Sequence, residues 1–240
     1  MCGSCGCMTD MPLAGGQGST RTIALEVDLL ADNNVRASTN RDWFQEHGVL
    51  ALNLLSSPGS GKTALLTRSL MALKSDYRLA VIEGDQQTDH DAERIRATGV
   101  SALQINTGKG CHLDAVMVSH ALEGLGPADD SILFIENVGN LVCPAMFDLG
   151  EAVKIVILSV TEGEDKPLKY PDMFHAADLV LLNKIDLLPH LQFDIDRCRE
   201  YMQRIKPGIE MIQVSAHDGS GIGDWYRWLA MAFVNRRQAD

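Results

Sequence analysis

The chain has 240 residues and a formal net charge of −11, because 21 lysine and arginine residues face 32 aspartate and glutamate residues. This length suffices for one α/β domain with a large core and a short tail. The acidic balance, without a basic stripe, argues against nucleic acid as a partner, and no apolar run has the length of a membrane span. The first residues lack the basic and apolar regions of a signal peptide, so we expect a cytoplasmic protein whose six cysteines are ligands or thiols rather than disulfides.

The chain opens with three cysteines, Cys2, Cys5 and Cys7, in the spacing C-x-x-C-x-C. Three thiolates this close together can converge on one soft or borderline metal ion. A backbone nitrogen or the terminal amine would complete a square-planar set, which favours Ni²⁺ over Zn²⁺. A redox pair or an incidental cysteine-rich end is the alternative. Because a Gly- and Ser-rich stretch follows, we expect residues 1–20 to form a flexible metal-binding tail, and the pattern of residues 21–47 predicts N-terminal helices.

The apolar run 49–55 stops at a glycine-rich turn that ends in Gly-Lys-Thr, and a helical pattern follows. Strand, loop and helix in this order predict a P-loop, whose backbone N–H groups cradle phosphate oxygens. Lys62 is expected to reach the β- and γ-phosphates, and Thr63 to ligate Mg²⁺. Ser56 stands where the pattern has its first glycine. The predicted phosphate-binding residues are Ser57, Gly59, Ser60, Gly61, Lys62 and Thr63.

Two acids follow predicted buried strands. Asp85 comes just after the apolar run 78–83, and we expect it to hold a water of the Mg²⁺ shell or to orient the attacking water. Glu136 ends the run 131–136, and Gly139 follows three residues later. This is the layout of a nucleotide switch with Glu in place of Asp, in which the acid serves Mg²⁺ and the glycine N–H senses the γ-phosphate.

A second group of potential metal ligands flanks this switch. Cys111 and His112 are adjacent, follow glycines and are expected at the start of a helix, and Cys143 comes four residues after Gly139. If the three bind one metal, the switch would move a ligand directly. Three donors underfill a tetrahedral site, which a two-fold dimer would complete. Spacing alone leaves open the alternative of separate buried cysteines and a solvent-exposed histidine.

The second nucleotide motif is Asn183-Lys184-Ile185-Asp186, at the end of the predicted strand 179–182. Asp186 can accept two hydrogen bonds from guanine N1–H and the N2 amine, whereas adenine would leave this carboxylate unpaired. Asn183 is expected to tie the loop together and the Lys184 stem to lie along the base. Ser215 and the Ala216 N–H follow another predicted strand and stand where guanine O6 would bind. Strands alternating with helices predict an α/β fold of the P-loop NTPase type, with a doubly wound, mostly parallel sheet flanked by helices.

Several longer strings support one resemblance. These are S-P-G-S-G-K-T at 57–63, E-G-D at 83–85, G-C-H-L-D at 110–114, E-N-V-G-N-L-V-C-P at 136–144, D-K-P-L-K-Y-P at 165–171 and N-K-I-D at 183–186. Together they resemble HypB, the family of hydrogenase nickel-incorporation GTPases, over nearly the whole chain. The resemblance implies a GTPase domain over residues 48–240 of the dimerising class that includes the nitrogenase iron protein.

The resemblance also implies a function and partners. Members of this family dimerise when GTP binds and deliver nickel to the large subunit of [NiFe]-hydrogenase, together with a small zinc-binding accessory protein, HypA. The family's metal residues map onto Cys111, His112 and Cys143 for nickel or zinc, and onto Cys2, Cys5 and Cys7 for nickel. Because the chain has no histidine-rich tract, we expect it to chaperone nickel rather than store it. Turnover should be slow, since no arginine finger is evident.

Three rival interpretations remain at this stage. A urease-accessory nickel GTPase is expected to carry its ligands in a Cys-Pro-His string, which does not occur here. A nickel-binding protein that does not hydrolyse GTP would bind metal with the same affinity in both nucleotide states. A small-molecule kinase would need an acceptor pocket and a lid, and the guanine clamp argues against it.

The guanine clamp predicts base specificity. Native protein should hydrolyse GTP but not ATP, and Asp186→Asn should lower GTP turnover at least about 100-fold because one pairing with guanine is lost. The same variant should gain turnover of xanthosine triphosphate, whose oxygen at C2 accepts a hydrogen bond from the new amide. Turnover is measured as phosphate release from GTP, ATP and xanthosine triphosphate. Equal turnover of ATP and GTP by both proteins would contradict the assignment of Asp186 as the guanine-binding residue.

Overall fold

The computed structural model describes residues 18–85, 90–108 and 110–236. Cys2, Cys5 and Cys7 lie outside the described residues. Strands β1 to β7 span Leu50–Ser56, Arg78–Asp85, Ser101–Asn106, Ser131–Glu136, Val153–Ser159, Leu179–Asn183 and Glu210–Gln213. Helices α1 to α9 span Gly18–Glu46, Lys62–Leu73, His90–Arg96, Ala115–Leu125, Cys143–Met146, Lys166–Lys169, Pro171–Ala176, Ile195–Ile205 and Ile222–Asn235. Short 3₁₀ helices span Val160–Glu162 and Ile185–His190.

The strands form one sheet in the order β3-β2-β4-β1-β5-β6-β7, and each neighbouring pair among them is parallel. The predicted doubly wound α/β fold is confirmed, and the described strands are wholly rather than mostly parallel. Parallel strands need crossover connections, and these carry the helices to the two faces of the sheet. The carboxyl ends of the strands therefore meet at one edge, which is where ligands bind in such sheets.

The core lies on both faces of the central strand β1, because successive side chains point to opposite faces. Leu50, Leu52 and Leu54 belong to a cluster that contains Leu66 of α2 and Trp225 of α9. The intervening residues of β1 pack on the other face, against helices α1, α4, α7 and α8. A strand buried on both faces reads as a nearly continuous apolar run, which explains why the strands were visible in the sequence.

Helix α1 is a single helix over the region where the pattern predicted successive helical segments. No Gly or Pro interrupts residues 19–46, so nothing in the sequence forces a break. Two buried amides attach this helix to the domain. Asn40 Nδ2 donates to the carbonyls of Ala115 and Leu149, and Asn33 Oδ1 accepts from the Ala115 N–H. Helix α1 is thus held by polar contacts with the start of α4.

Among the described residues, no helix has the combination of length and apolar composition that a membrane crossing requires.

The Asn40 contacts predict a stability effect. Asn40→Ala would leave two buried carbonyls without this donor, and each buried unpaired group costs about 1–3 kcal/mol. We expect the free energy of unfolding to fall by about 2 kcal/mol, measured by urea denaturation followed by circular dichroism. Thr39→Ala is the matched control, because the Thr39 hydroxyl is exposed and donates to the Val35 carbonyl of its own helix. Equal midpoints for the two variants would contradict the assigned role of Asn40.

Candidate nucleotide and metal sites

The predicted P-loop lies between β1 and α2, and α2 begins at Lys62. Ser56, expected in the loop, is the last residue of β1. Gly61 has φ +93°, and a Cβ there would lie 2.6 Å from the Asn183 amide nitrogen, so only glycine fits. The loop borders a cavity of about 480 Å³ at the carboxyl edge of the sheet. This cavity is lined by Ser57, Gly59, Ser60, Gly61, Lys62, Thr63, Asp85, Glu136 and Gly139, among others.

Glu136 joins the P-loop to the predicted switch. Its Oε1 accepts from Lys62 Nζ at 2.7 Å and from Thr63 Oγ1 at 2.6 Å, and the residue is 1% exposed. Gly139 lies against Pro58 of the loop, where a Cβ would come within 3.2 Å of the Pro58 Cα atom. The acid and the glycine of the switch pattern are therefore both in contact with the phosphate loop.

The carboxylates in this cavity fit Mg²⁺. Glu83 lies beside Glu136 in the paired strands β2 and β4 and is 2% exposed. Among the described residues, Glu83 Oε2 and Glu136 Oε2 are buried without a hydrogen-bond partner. Burial, and next the negative charge of Glu136, raise the pKa of Glu83 to about 8. Thr63 adds a hydroxyl and Asp85 another carboxylate to the lining, and such oxygens are the ligands that Mg²⁺ prefers.

Most residues of the predicted base clamp line a second recess of about 300 Å³, which shares Gly61 and Lys184 with the lining of the first cavity. Ser215 Oγ donates to Asp186 Oδ1 at 2.6 Å, and Asn183 Oδ1 accepts from the Ala216 N–H. Asn183 Nδ2 donates to the Ser60 carbonyl of the P-loop. Lys184, in a left-handed conformation with φ +64°, donates to the Gly59 carbonyl. The structure therefore brings the clamp residues together and fastens them to the phosphate loop.

Cys111, His112 and Cys143 also come together, with all three ligand atoms within 4.8 Å of one another. Cys111 and His112 precede helix α4 rather than begin it, because Asp114 caps that helix by accepting from the Met117 N–H. The Phe147 ring lies 3.8 Å from the His112 ring, centroid to centroid. Burial lowers the pKa of His112, which favours the neutral, ligating imidazole. A hydrogen bond with Cys143, and then burial, raise the pKa of the Cys111 thiol.

Sequence reasoning assigned no role to several residues at these sites. Glu83 had one visible signal, an acid at the end of an apolar run. Arg94 of α3 lines the phosphate cavity, although its side chain is largely exposed and lies 3.7 Å from Asp91 Oδ1. Phe147 against His112, and Asn137 at the end of β4, were also missed. Their positions depend on how distant segments pack, and no local pattern encodes that.

A parallel sheet with a phosphate loop, an acid-tipped switch strand and a base clamp at its carboxyl edge defines a P-loop nucleotide-binding protein. The family model described as "CobW/HypB/UreG, nucleotide-binding domain" matches residues 50–213. The chain belongs to this CobW/HypB/UreG family and, within it, to the hydrogenase maturation factors named HypB.

The relatives that support this assignment match over most of their length. The chain is 63% identical to "Hydrogenase maturation factor HypB" of Azotobacter vinelandii over 216 residues, which covers 90% of the chain and 71% of the relative. The crystal structure of HypB from Helicobacter pylori in complex with nickel has a TM-score of 0.79 at 41% identity, covering 86% of this chain and 96% of that one. HypB from Archaeoglobus fulgidus gives 0.79 at 37%, covering 85% and 99%.

The raised pKa of Glu83 predicts a pH effect on stability. Since the folded protein holds this proton up to about pH 8 and the unfolded chain releases it near its ordinary value, the folded state should lose stability as pH rises from about 5 to 8. The glutamine in Glu83→Gln cannot ionise. Between pH 5 and 8, the melting temperature of this variant should therefore fall by a few degrees less than that of the native protein. Differential scanning calorimetry in EDTA without nucleotide measures the difference.

The matched control for this prediction is Glu210→Gln, which removes an exposed acid at the start of β7. It should keep the native pH dependence. If the melting temperatures of native protein and Glu83→Gln fell equally between pH 5 and 8, the raised pKa of Glu83 would be contradicted.

Proposed function

We propose that this chain is a GTP-hydrolysing nickel metallochaperone that helps insert nickel into the large subunit of a [NiFe]-hydrogenase. The proposal rests mainly on one short segment that contributes to both sites. Glu136 and Gly139 border the phosphate cavity, and Cys143, four residues after Gly139, belongs to a group of soft donors with Cys111 and His112. Relatives named hydrogenase maturation factors, and a relative crystallised with nickel, support the same function.

In the proposed hydrolysis, the chain's own groups position the nucleotide. Lys62 and the loop N–H groups hold the β- and γ-phosphates, and Asp186 selects guanine. Thr63, Asp85 and Glu136 would hold Mg²⁺, which neutralises charge on the transferred phosphoryl group. Asp85 is the candidate for orienting the attacking water. Turnover should be slow, since Arg94 is largely exposed and lies beside Asp91, an acid that competes for its charge.

The donor group would bind nickel or zinc. Thiolate and imidazole suit both ions, and three donors per chain leave one tetrahedral position to fill. We propose that a second copy supplies it when GTP binds. Exposed apolar side chains beside Cys143 support an interface there, because Val142 is 56% and Met146 55% exposed. Large exposed apolar groups next to a functional site mark interaction surfaces.

The remaining parts of the proposal concern the tail and the partners. Residues 1–20 would hold nickel through Cys2, Cys5 and Cys7, although the last three of them already belong to α1, which begins at Gly18. Residues 21–47 would form the N-terminal helical part, and residues 48–240 the GTPase domain. A small zinc-binding accessory protein of the HypA type would act with the chain in the cytoplasm.

The test measures Ni²⁺ affinity by isothermal titration in two nucleotide states, Mg²⁺·GDP and a Mg²⁺-bound non-hydrolysable GTP analogue. The full chain carries Cys2→Ser, Cys5→Ser and Cys7→Ser, so that only the internal site reports. We expect the two affinities to differ by about 5-fold or more, as for typical coupled sites. Cys143→Ser should abolish tight binding in both states because a soft ligand is lost.

Cys198→Ala is the control, because this buried cysteine lies in a separate core cluster and should not affect nickel affinity. Equal nickel affinity in both nucleotide states, together with no GTP turnover, would replace the proposal by a nickel-binding protein whose nucleotide only stabilises the fold.

A further inference from the structure

Two asparagines of the switch segment, residues 136–143, hold the loop that carries the other two metal donors. Asn137 Oδ1 accepts from the Leu113 N–H at 3.1 Å, one residue after His112. Asn140 Nδ2 donates to the Cys111 carbonyl at 3.2 Å. Of the three donors, Cys143 alone belongs to the switch segment in sequence. The loop with Cys111 and His112 is distant in sequence, but the side chains of Asn137 and Asn140 attach it to the switch segment in space.

Asn137 is 1% exposed and uses both ends of its amide. Besides the Leu113 N–H, its oxygen accepts from the Val138 N–H at 2.9 Å, and its nitrogen donates to Asn53 Oδ1 at 3.3 Å. Asn53 in turn donates to Glu151 Oε1. This buried chain of hydrogen bonds fixes the orientation of the Asn137 amide, since reversing it would turn a donor toward two N–H groups.

Asn140 connects both halves of the donor group. While its nitrogen bonds to the Cys111 carbonyl, its oxygen accepts from the Val142 N–H, next to Cys143. Asn140 is partly exposed, so its replacement puts less of the core at risk than replacement of Asn137.

The same segment contacts the nucleotide cavity. Asn137, Val138 and Gly139 line it, and Gly139 lies against Pro58 of the P-loop. The donor loop also reaches the other side of the cavity, because Leu113 packs against Gly84, where a Cβ would come within 2.8 Å of the leucine side chain. A displacement of the switch would therefore act on all three donors together and not only on Cys143.

We propose that Asn137 and Asn140 are positioning residues that couple the nucleotide state to the whole metal-donor group. This inference rests on the proposed function, because it names how that metal site is regulated. The γ-phosphate biases the segment at Gly139, and the two amides carry Cys111 and His112 along with Cys143. Without them, Cys143 alone would follow the switch, and the metal site would respond weakly to the nucleotide.

The test uses the full chain with Cys2→Ser, Cys5→Ser and Cys7→Ser as parent. Ni²⁺ affinity is measured with Mg²⁺·GDP and with the Mg²⁺-bound non-hydrolysable GTP analogue, and the readout is the ratio of the two affinities. Asn140→Ala removes both hydrogen bonds of that amide. Asn140→Asp can still accept from the Val142 N–H but cannot donate to the Cys111 carbonyl. In both variants we expect the ratio to fall from about 5-fold or more to below about 2-fold.

A ratio is the informative quantity, because a purely structural defect would weaken nickel binding in both states without changing their quotient. Asn106→Ala is the matched control. Asn106 is an exposed asparagine at the end of β3, and the structure gives its side chain a local bond to the Gly108 N–H. It should keep the parent ratio. Asn137→Ala, which removes the other attachment, should lower the ratio as Asn140→Ala does.

The outcomes separate this inference from the proposed function. A parent ratio that persists in both Asn140 variants overturns the inference and leaves the proposed chaperone intact. A parent ratio of one, with tight nickel binding, overturns the inference and also removes nucleotide control from the proposed function. A ratio lost in the Asn140 variants and kept in Asn106→Ala supports the coupling.

Discussion

The structure depends most on one buried carboxylate at the end of strand β4, which neighbours the central strand β1. Glu136 is almost fully removed from water, and such a charge is costly unless it is paired and hydrogen-bonded. Lys62 and Thr63 supply that pairing from the first turn of α2. The contact fixes the start of α2 relative to the end of β4, and therefore fixes where the switch segment begins. Replacing Lys62 would leave the buried carboxylate without its cationic partner, whereas replacing Thr63 would remove one of these two hydrogen bonds.

Buried asparagine side chains also fix the relative positions of distant segments, through hydrogen bonds rather than ion pairs. Asn183 bonds to the Ser60 carbonyl and to the Ala216 N–H, which joins the P-loop to both parts of the base clamp. Asn137 joins the switch to the donor loop in the same way. An amide can accept and donate at once, so one side chain can hold two backbone segments that no sheet ladder connects. Apolar residues of similar size would fill the space but would not define these relative positions.

The sequence predicted the fold because its signals are local. Apolar runs identified the buried strands, and the glycine-rich turn before Lys62 identified the phosphate loop. The predicted site residues were mostly those at strand ends, where a parallel sheet gathers its functional groups. What could not be predicted were contacts between segments far apart in the chain. Asn140 meets Cys111 across 29 residues, and no role for this contact was visible in the sequence, because it depends on the angle at which loops leave neighbouring strands. Asn183 belongs to a recognisable motif and was expected to tie the loop together, but its partner Ser60, 123 residues away, was not predicted.

Thermodynamic linkage between the proposed nucleotide site and the proposed nickel site acts in both directions. If the nucleotide state changes nickel affinity by some factor, nickel must change the preference for GTP over GDP by the same factor. A chain loaded with nickel would then favour the nucleotide in which the proposed dimer forms, and an empty chain would not. Hydrolysis would end that preference and release the metal. Nickel binding would therefore start an interval whose length is determined by slow GTP hydrolysis. The separation along the chain is short enough for this coupling, since three residues lie between Gly139, which lines the cavity at the P-loop, and Cys143, a proposed metal donor.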